Sequence, residues 1–381
     1  MRNLGGKVRR ATLVLSASTV LGVLAVSVAP AIPASATSRQ DQLISVDAQP
    51  GVPRVPRVPA SSWILADADT GEILASKDPH RQLPPASTIK VLTAVTLMPH
   101  LDLDSTYAAT LQDTNQAGTR IGLKAGMSNK VYDLFAGMMM NSGNDAGSAV
   151  ANAAGGWEPA LRLMNEEAAR LGAKDTVALT PNGLDQDGQL TSATDLAVIF
   201  RAALKMPELA KIMQTKKMPA QIIGGRTIPL YNHNKMLQLN YPGHLGAKTG
   251  TTSMAGKTVV SAFKRGKRTL IVALMRYGGK MEQASKPLYD WGFAYANKLT
   301  PVGELPTSGP RPPVTKHAAL QLDQDGNPQP GQDDLLASVS APSSGSSGSS
   351  GTSLAAIGVM ALFGFAAAAV FGFVRLRGRS G

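Results

Sequence analysis

Among its 381 residues the sequence has no cysteine. That absence excludes a disulfide framework, a thiolate nucleophile and a thiolate metal site. Histidine is scarce too: the five present form no HExxH or other paired spacing, so no zinc centre is expected. Charged residues make up only 17% against 43% hydrophobic, a balance that fills a packed core and argues against wholesale disorder. Residues 1–36 lack acidic residues entirely, so Arg2, Lys7, Arg9 and Arg10 contribute +4 of the formal net charge of +12. Arg375, Arg377 and Arg379 contribute +3 at the other end, which leaves +5 for the middle. So mild and dispersed an excess suits anionic surroundings and does not mark a nucleic-acid-binding protein.

The long apolar runs lie at the two ends. A basic stretch from Arg2 to Arg10 precedes an apolar run over residues 11–28, and Ala34-Ser35-Ala36 follows with the small residues a signal peptidase requires. Residues 1–36 are therefore expected to be a signal peptide, cleaved after Ala36. Residues 354–374 form a 21-residue stretch without a charge, and about 20 residues cross the hydrocarbon core as a helix. The arginines of residues 375–381 follow at once and, by the positive-inside rule, form a cytoplasmic tail. The expected location is the cell membrane, single-pass, with the bulk of the chain outside. Residues 37–60 are a Pro-rich lead. Residues 299–353, with Pro301, Pro306, Pro310, Pro312 and Pro313 and then Ser343-Ser344-Gly345-Ser346-Ser347-Gly348, are expected to be a disordered linker. Residues 61–298 remain for the folded unit.

Within that unit, apolar runs over 63–66 and 72–75 flank Asp67-Ala68-Asp69-Thr70-Gly71, a hairpin signal. Runs over 258–263 and 269–275 flank the basic turn Lys264-Arg265-Gly266-Lys267-Arg268. Pro84-Pro85 stops the chain before Ser87, and helical spacing follows over 86–98, 134–140, 160–171, 193–204 and 282–298. Two hairpins at opposite ends with helices between them predict one antiparallel sheet built from both ends, an α+β domain with a helical insert.

Three short motifs occur in order: Ser87-Thr88-Ile89-Lys90, Ser142-Gly143-Asn144 and Lys248-Thr249-Gly250. Singly each is weak; the second is an ordinary turn sequence and the third a plain glycine turn before the strand from Thr258. Ser-x-x-Lys also occurs at Ser261–Lys264. Ser87 and Lys90 begin a predicted helix, where positions three apart share a face. Ser261 and Lys264 end a predicted strand, where an offset of three points to opposite faces. The second copy is therefore set aside.

A serine hydroxyl needs a base within hydrogen-bond reach. Lys90 serves if its amine is neutral, which burial and the nearby cation Lys248 favour. Ser87 at a helix start places developing negative charge near the positive end of the helix dipole, and its N–H is one candidate oxyanion donor. The Ser142 hydroxyl can relay a proton to a leaving amine, and the Asn144 amide can hold a substrate backbone group. Lys248 and Thr249 can hold a substrate carboxylate, Gly250 admits a backbone added at the sheet edge, and the Thr251 N–H is the second oxyanion donor.

The ordered triple matches the set shared by penicillin-binding proteins and serine β-lactamases. From residue 63 to about 297 the chain resembles the D-alanyl-D-alanine carboxypeptidases among the low-molecular-mass penicillin-binding proteins. Further matching stretches are residues 65–74, Ser142-Gly143-Asn144-Asp145-Ala146, Asn182-Gly183-Leu184-Asp185, Tyr241-Pro242-Gly243 and Asp290-Trp291-Gly292-Phe293. The resemblance implies a β-lactamase/D,D-peptidase-like fold and an acyl-enzyme on Ser87, with no cofactor or metal. It implies peptidoglycan stem peptides ending in D-Ala-D-Ala as substrate and β-lactam antibiotics as inhibitors. It also implies a basic residue near the last strand that helps bind the substrate carboxylate, with Arg276 and Lys280 as candidates. Many members carry a β-rich second domain and an amphipathic C-terminal helix; here a linker and a spanning helix are expected instead. A class A β-lactamase adds a deacylating glutamate, and no Glu-x-x-x-Asn lies between Ser142 and Lys248. Endopeptidase action on cross-links, or wall binding without catalysis, are the other readings of the same groove.

Overall fold

The computed structural model describes residues 43–222, 226–324 and 327–329. The expected signal peptide, the apolar run 354–374 and the Ser/Gly run lie outside them. Among the described residues no helix is long and apolar enough to cross a membrane.

The chain enters through two short strands, β1 (Ile44–Ser45) and β2 (Asp47–Ala48). The first predicted hairpin follows as β3 (Ala60–Asp67) and β4 (Glu72–Lys77). Its turn is set by Asp67, whose Oδ1 accepts the N–H groups of Asp69 and Thr70 at 2.9 and 3.1 Å. A 3-10 turn over Ala86–Ile89 runs into α1 (Lys90–Leu97), whose eight residues are all buried. Next come β5 (Thr106–Ala108), α2 (Leu111–Thr114), β6 (Ser128–Lys130), α3 (Val131–Met140), α4 (Asn144–Ala153) and α5 (Trp157–Leu171). Then α6 (Ala193–Leu204) starts at Ser192, whose hydroxyl caps the Asp195 N–H at 3.1 Å, and α7 (Pro207–Gln214) begins with proline at its first position. A hairpin of β7 (Lys217–Ile222) and β8 (Arg226–Tyr231) leads through the single turn α8 (Lys235–Gln238) to β9 (His244–Thr252). The second predicted hairpin is β10 (Gly256–Arg265) and β11 (Arg268–Tyr277), followed by α9 (Met281–Tyr295), β12 (Leu299–Thr300) and β13 (Gly303–Glu304).

One antiparallel sheet runs in the order β1-β4-β3-β11-β10-β9, with β13 pairing on β4. The register Asp67↔Leu270 through Ala60↔Tyr277 joins the first hairpin to the last, so the sheet is built from both ends of the unit as the hairpin signals predict. Both faces are covered. Trp63, Leu65, Val272 and Leu274 pack under α9 with Leu288 and Tyr289. The alternate residues Ile64, Ala66, Ile271 and Ala273 lie on the other face, which α6 covers with α1 packed behind it. Burial on both faces is why these strands read as continuous apolar runs and not as alternation. The edge left for a ligand is β9.

The boundaries at 60 and 298 differ from expectation. Trp291 Nε1 donates to the Pro53 carbonyl at 2.9 Å, which fastens the Pro-rich lead to α9. At the other end, Leu305, Ala319, Leu320 and Leu322 are buried, Arg311 pairs with Glu167 at 2.5 Å, and the Leu320 N–H donates to Ala153 at 2.9 Å. The segment expected to be a linker from residue 299 therefore packs on the helical lobe as far as Leu322. Its few leucines each remove apolar area from water, and the prolines among them lower the entropy lost on ordering.

Candidate active site

Ser87 sits in the 3-10 turn that opens α1, and the backbone there is unusual. Ala86 has φ +49°, a left-handed conformation that costs about 1–2 kcal/mol for a residue with a side chain. The surroundings impose it: Gly183 lies so close that a Cβ there would fall 2.1 Å from the Ala86 carbonyl oxygen. Ser87 is half-buried, and one helical turn on Lys90 Nζ lies 2.9 Å from its Oγ. Lys90 is completely buried. It also donates to Asn144 Oδ1 at 2.6 Å and to the Asn182 carbonyl. Burial pushes its pKa well below the usual lysine value, the Lys248 charge lowers it further, and Asp145 opposes both. A neutral amine has two N–H bonds and one lone pair. Asn144 Oδ1 and the Asn182 carbonyl can only accept, so they take the two hydrogens and leave the lone pair facing the Ser87 hydroxyl.

The second motif joins α3 to α4. Ser142 has φ +61°, and its Oγ accepts from Lys248 Nζ at 2.9 Å. Asn144 opens α4 and stands behind the cleft wall. Its Nδ2 donates to the Ala117 carbonyl at 2.6 Å and its N–H to the Thr119 carbonyl at 2.7 Å. With Oδ1 on Lys90, the amide is mostly committed within the protein and keeps a single N–H for a substrate group. Asp145 fixes the facing loop by accepting the N–H groups of Ile121, Gly122 and Leu123 at 2.9, 2.8 and 3.2 Å.

The third motif precedes the strand that holds Thr258, β10, as expected, and it also lies inside a strand of its own, the edge strand β9. Val259 and Val260 of β10 face Thr249 and Lys248, and Thr258 faces Gly250. Lys248 is buried, and burial lowers its pKa to about 7. A Cβ on Gly250 would fall 2.6 Å from the Ser87 nitrogen and 2.7 Å from Thr258 Oγ1, so only glycine lets strand and nucleophile meet. Thr251 follows, exposed.

Ser87, Ser142, Lys248, Thr249, Gly250 and Thr251 line one cavity of about 200 Å³. Thr119, Asn232, His233 and Asn234 line it too, and none of the four belongs to a motif that marks it in the sequence. Neither Arg276 nor Lys280 lies on this wall; Arg276 Nη2 instead donates to the Met254 carbonyl at 2.7 Å. The basic side chain that does reach the wall beside Lys248 is His233, whose pKa is lowered by partial burial and by the Lys248 charge. An isolated histidine in a short loop carries no spacing signal that could have found it. Ser261, the serine of the other Ser-x-x-Lys, is buried with its Oγ 2.8 Å from the Tyr289 hydroxyl. Among the described residues no group of acids and histidines is arranged to hold a metal ion.

The family model described as D-alanyl-D-alanine carboxypeptidase matches residues 49–278. D-alanyl-D-alanine carboxypeptidase DacB2 of Mycobacterium tuberculosis is 42% identical over 268 residues, which span 68% of this chain and 91% of that protein. D-alanyl-D-alanine carboxypeptidase DacA of Escherichia coli is 33% identical over 260 residues, 64% of this chain and 63% of that one. Among solved structures, a D-alanyl-D-alanine carboxypeptidase from Mycobacterium tuberculosis superposes with a TM-score of 0.64 at 40% identity, covering 68% of this chain and all of that one. The Streptomyces K15 DD-transpeptidase is similar at a TM-score of 0.60 and 25% identity, covering 63% of this chain and 98% of that one.

Proposed function

The chain belongs to the D-alanyl-D-alanine carboxypeptidase family as a serine-type enzyme, and on that footing we propose how its residues release D-alanine from stem peptides. The observation that carries the mechanism is the pair of obligate acceptors on Lys90, which point its lone pair at Ser87. Ser87 Oγ attacks the carbonyl of the penultimate D-alanine while its proton passes to Lys90 Nζ. The N–H groups of Ser87 and Thr251 receive the negative oxygen. The C–N bond then breaks, and the departing D-alanine amine takes a proton from the Ser142 hydroxyl, which Lys248 resupplies across their hydrogen bond. Lys248 and Thr249 hold the terminal carboxylate, whose charge raises the lysine pKa from about 7 and keeps it protonated while substrate is bound. Lys90 passes the proton it took on to Lys248 by way of solvent; water then attacks the acyl-enzyme with Lys90 again as base, and the proton returns to Ser87 Oγ as the ester bond breaks, freeing the shortened peptide. β-Lactams acylate the same serine.

Residues 1–36 direct export and residues 354–374 anchor the chain in the cell membrane, with the catalytic unit outside and the C-terminus in the cytoplasm. The basic-then-apolar start ending in Ala34-Ser35-Ala36, and the uncharged stretch followed by Arg375, Arg377 and Arg379, support this. The test is incubation of the purified chain with a pentapeptide stem: free D-alanine is expected from the wild type and none from Ser87→Ala. Equal release by both would overturn the assignment.

A further inference from the structure

The lone pair of Lys90 is aimed by two acceptors, Asn144 Oδ1 at 2.6 Å and the Asn182 carbonyl. Both asparagines are in turn held by neighbouring residues of one loop, residues 115–120, which follows α2 and carries Thr119 into the cavity wall. The Ala117 carbonyl accepts from Asn144 Nδ2 at 2.6 Å, and Gln116 Oε1 accepts from Asn182 Nδ2 at 2.8 Å. Gln116 and Ala117 are consecutive, so a ring closes: Lys90, Asn144, Ala117, Gln116, Asn182 and Lys90 again. Lys90, Asn144 and Asn182 are buried, Gln116 is half-buried and Ala117 is exposed.

Backbone groups fix which way each amide in the ring faces. The Leu184 N–H donates to Asn182 Oδ1 at 3.2 Å, which leaves Nδ2 for Gln116. Gln116 meets that donor with Oε1, because its own Nε2 donates to the Gln112 carbonyl at 2.8 Å. Asn144 turns Nδ2 to the Ala117 carbonyl, a group that can only accept, and so presents Oδ1 to Lys90. Were Asn144 to turn over, its NH2 would face the lysine and draw the lone pair away from Ser87. Gly118 shows how closely the loop is fitted to this amide. Its φ is +75°, and a Cβ there would stand 3.0 Å from Asn144 Nδ2.

The loop is tied to α4 twice, by the Asn144 N–H at Thr119 and by the Asp145 carboxylate at residues 121–123. Gln116 ties it the other way, to the loop that carries Asn182. We propose that Gln116 is a positioning residue for the serine chemistry, a clasp between two loops that holds both acceptors on Lys90 and keeps the amine from water. The inference rests on Lys90 as the base that activates Ser87. With the clasp open, water reaches the lysine and Asn144 is free to turn. The protonated amine is then favoured, so acylation, which needs it neutral, slows on the acid side.

The test measures the second-order rate of acylation by a fluorescent penicillin across pH, in the full chain and three variants. Gln116→Met keeps the length of the side chain and loses the acceptor. Asn182→Ala removes the other half of the same bond and keeps the carbonyl on Lys90; the third variant combines them. Each single change should move the acid limb up by about one pH unit, about a tenfold lower rate below that limb and a smaller loss where Lys90 is already neutral. Adding Gln116→Met to Asn182→Ala should change little further, since its partner is already gone. The charges that face Lys90, Lys248 from β9 and Asp145 from α4, and His233 beside Lys248 are the same in all four chains, so a moved limb reports on the lysine.

A limb that stays at its wild-type pH would overturn the proposal, whether the rate is unchanged or falls evenly across pH. A lower melting temperature with an unmoved limb is what a merely structural glutamine would give. A full further loss on combining the two changes would overturn it as well. Failure of the catalytic reading shows differently: a wild-type chain that takes no label, or a label that survives Ser87→Ala, removes the serine chemistry and this role with it.

Discussion

At Ser87 the chain passes from a 3-10 turn into α1, and a spacing of three residues carries the Lys90 amine to 2.9 Å from the hydroxyl. At Ser261 the same spacing runs along β10. There the serine points toward α9, 2.8 Å from the Tyr289 hydroxyl, and Lys264 lies exposed at the end of the strand. The two sites share a serine and a lysine three residues apart and differ in backbone and in what surrounds the lysine. In the first, the sheet edge closes on Ser87, and the Asn144 amide and the Asn182 carbonyl converge on a lysine buried from water. In the second, the serine is a core hydrogen bond and the lysine keeps its hydration. A nucleophile is therefore a property of where a helix begins against a strand, and only secondarily of which residues occupy it.

The comparison breaks most visibly at the serines. Ser87→Ala should abolish labelling by a fluorescent penicillin, and Ser261→Ala should leave it within about twofold. The lysines come next: Lys90→Ala should slow acylation by about 10²–10⁴, the range of a lost general base, whereas Lys264→Ala should have no effect beyond about twofold. Gly250→Ala tests the meeting of strand and helix. Its Cβ would need to displace the Ser87 nitrogen from 2.6 Å, and acylation should fall about 10²-fold. The pH profile sharpens the role of the surroundings. Acylation needs Lys90 neutral, so its lowered pKa makes the rate climb with pH as that proton leaves. It also needs Lys248 protonated, so the second-order acylation rate constant, which reports the free enzyme, falls again as pH rises past about 7. A stopped-flow profile should be bell-shaped, and Lys248→Arg should remove the alkaline limb, since arginine stays charged. The smallest effect is thermal: Ser261→Ala should cost about 1 kcal/mol, one buried hydrogen bond, seen as a small drop in Tm.

Much of this frame was legible because local chemistry and tertiary packing agree. The two hairpins show in apolar runs around turn residues, and the start of α6 shows because Ser192 caps it. α4 was not legible: Asn144 to Ala153 are small and buried on every side, so no apolar stripe marks them. β9 was missed because Lys248-Thr249-Gly250-Thr251 has a turn's composition, and its strand geometry comes from pairing with β10. Residues 299–322 read as a linker because proline dominates their composition, and only the fold shows that Leu305, Leu320 and Leu322 are buried. In the site, the three motifs stand out by order and spacing. Asn182 acts through a backbone carbonyl that every residue possesses, and His233 through a position only the fold creates.

The central claim is that Ser87, and not its spacing twin, carries the acyl group. It is tested most directly by digesting the penicillin-treated chain and locating the adduct by mass spectrometry. The added mass should sit on the peptide containing Ser87, persist in Ser261→Ala and vanish in Ser87→Ala. An adduct on the Ser261 peptide, or one that survives Ser87→Ala, would contradict it.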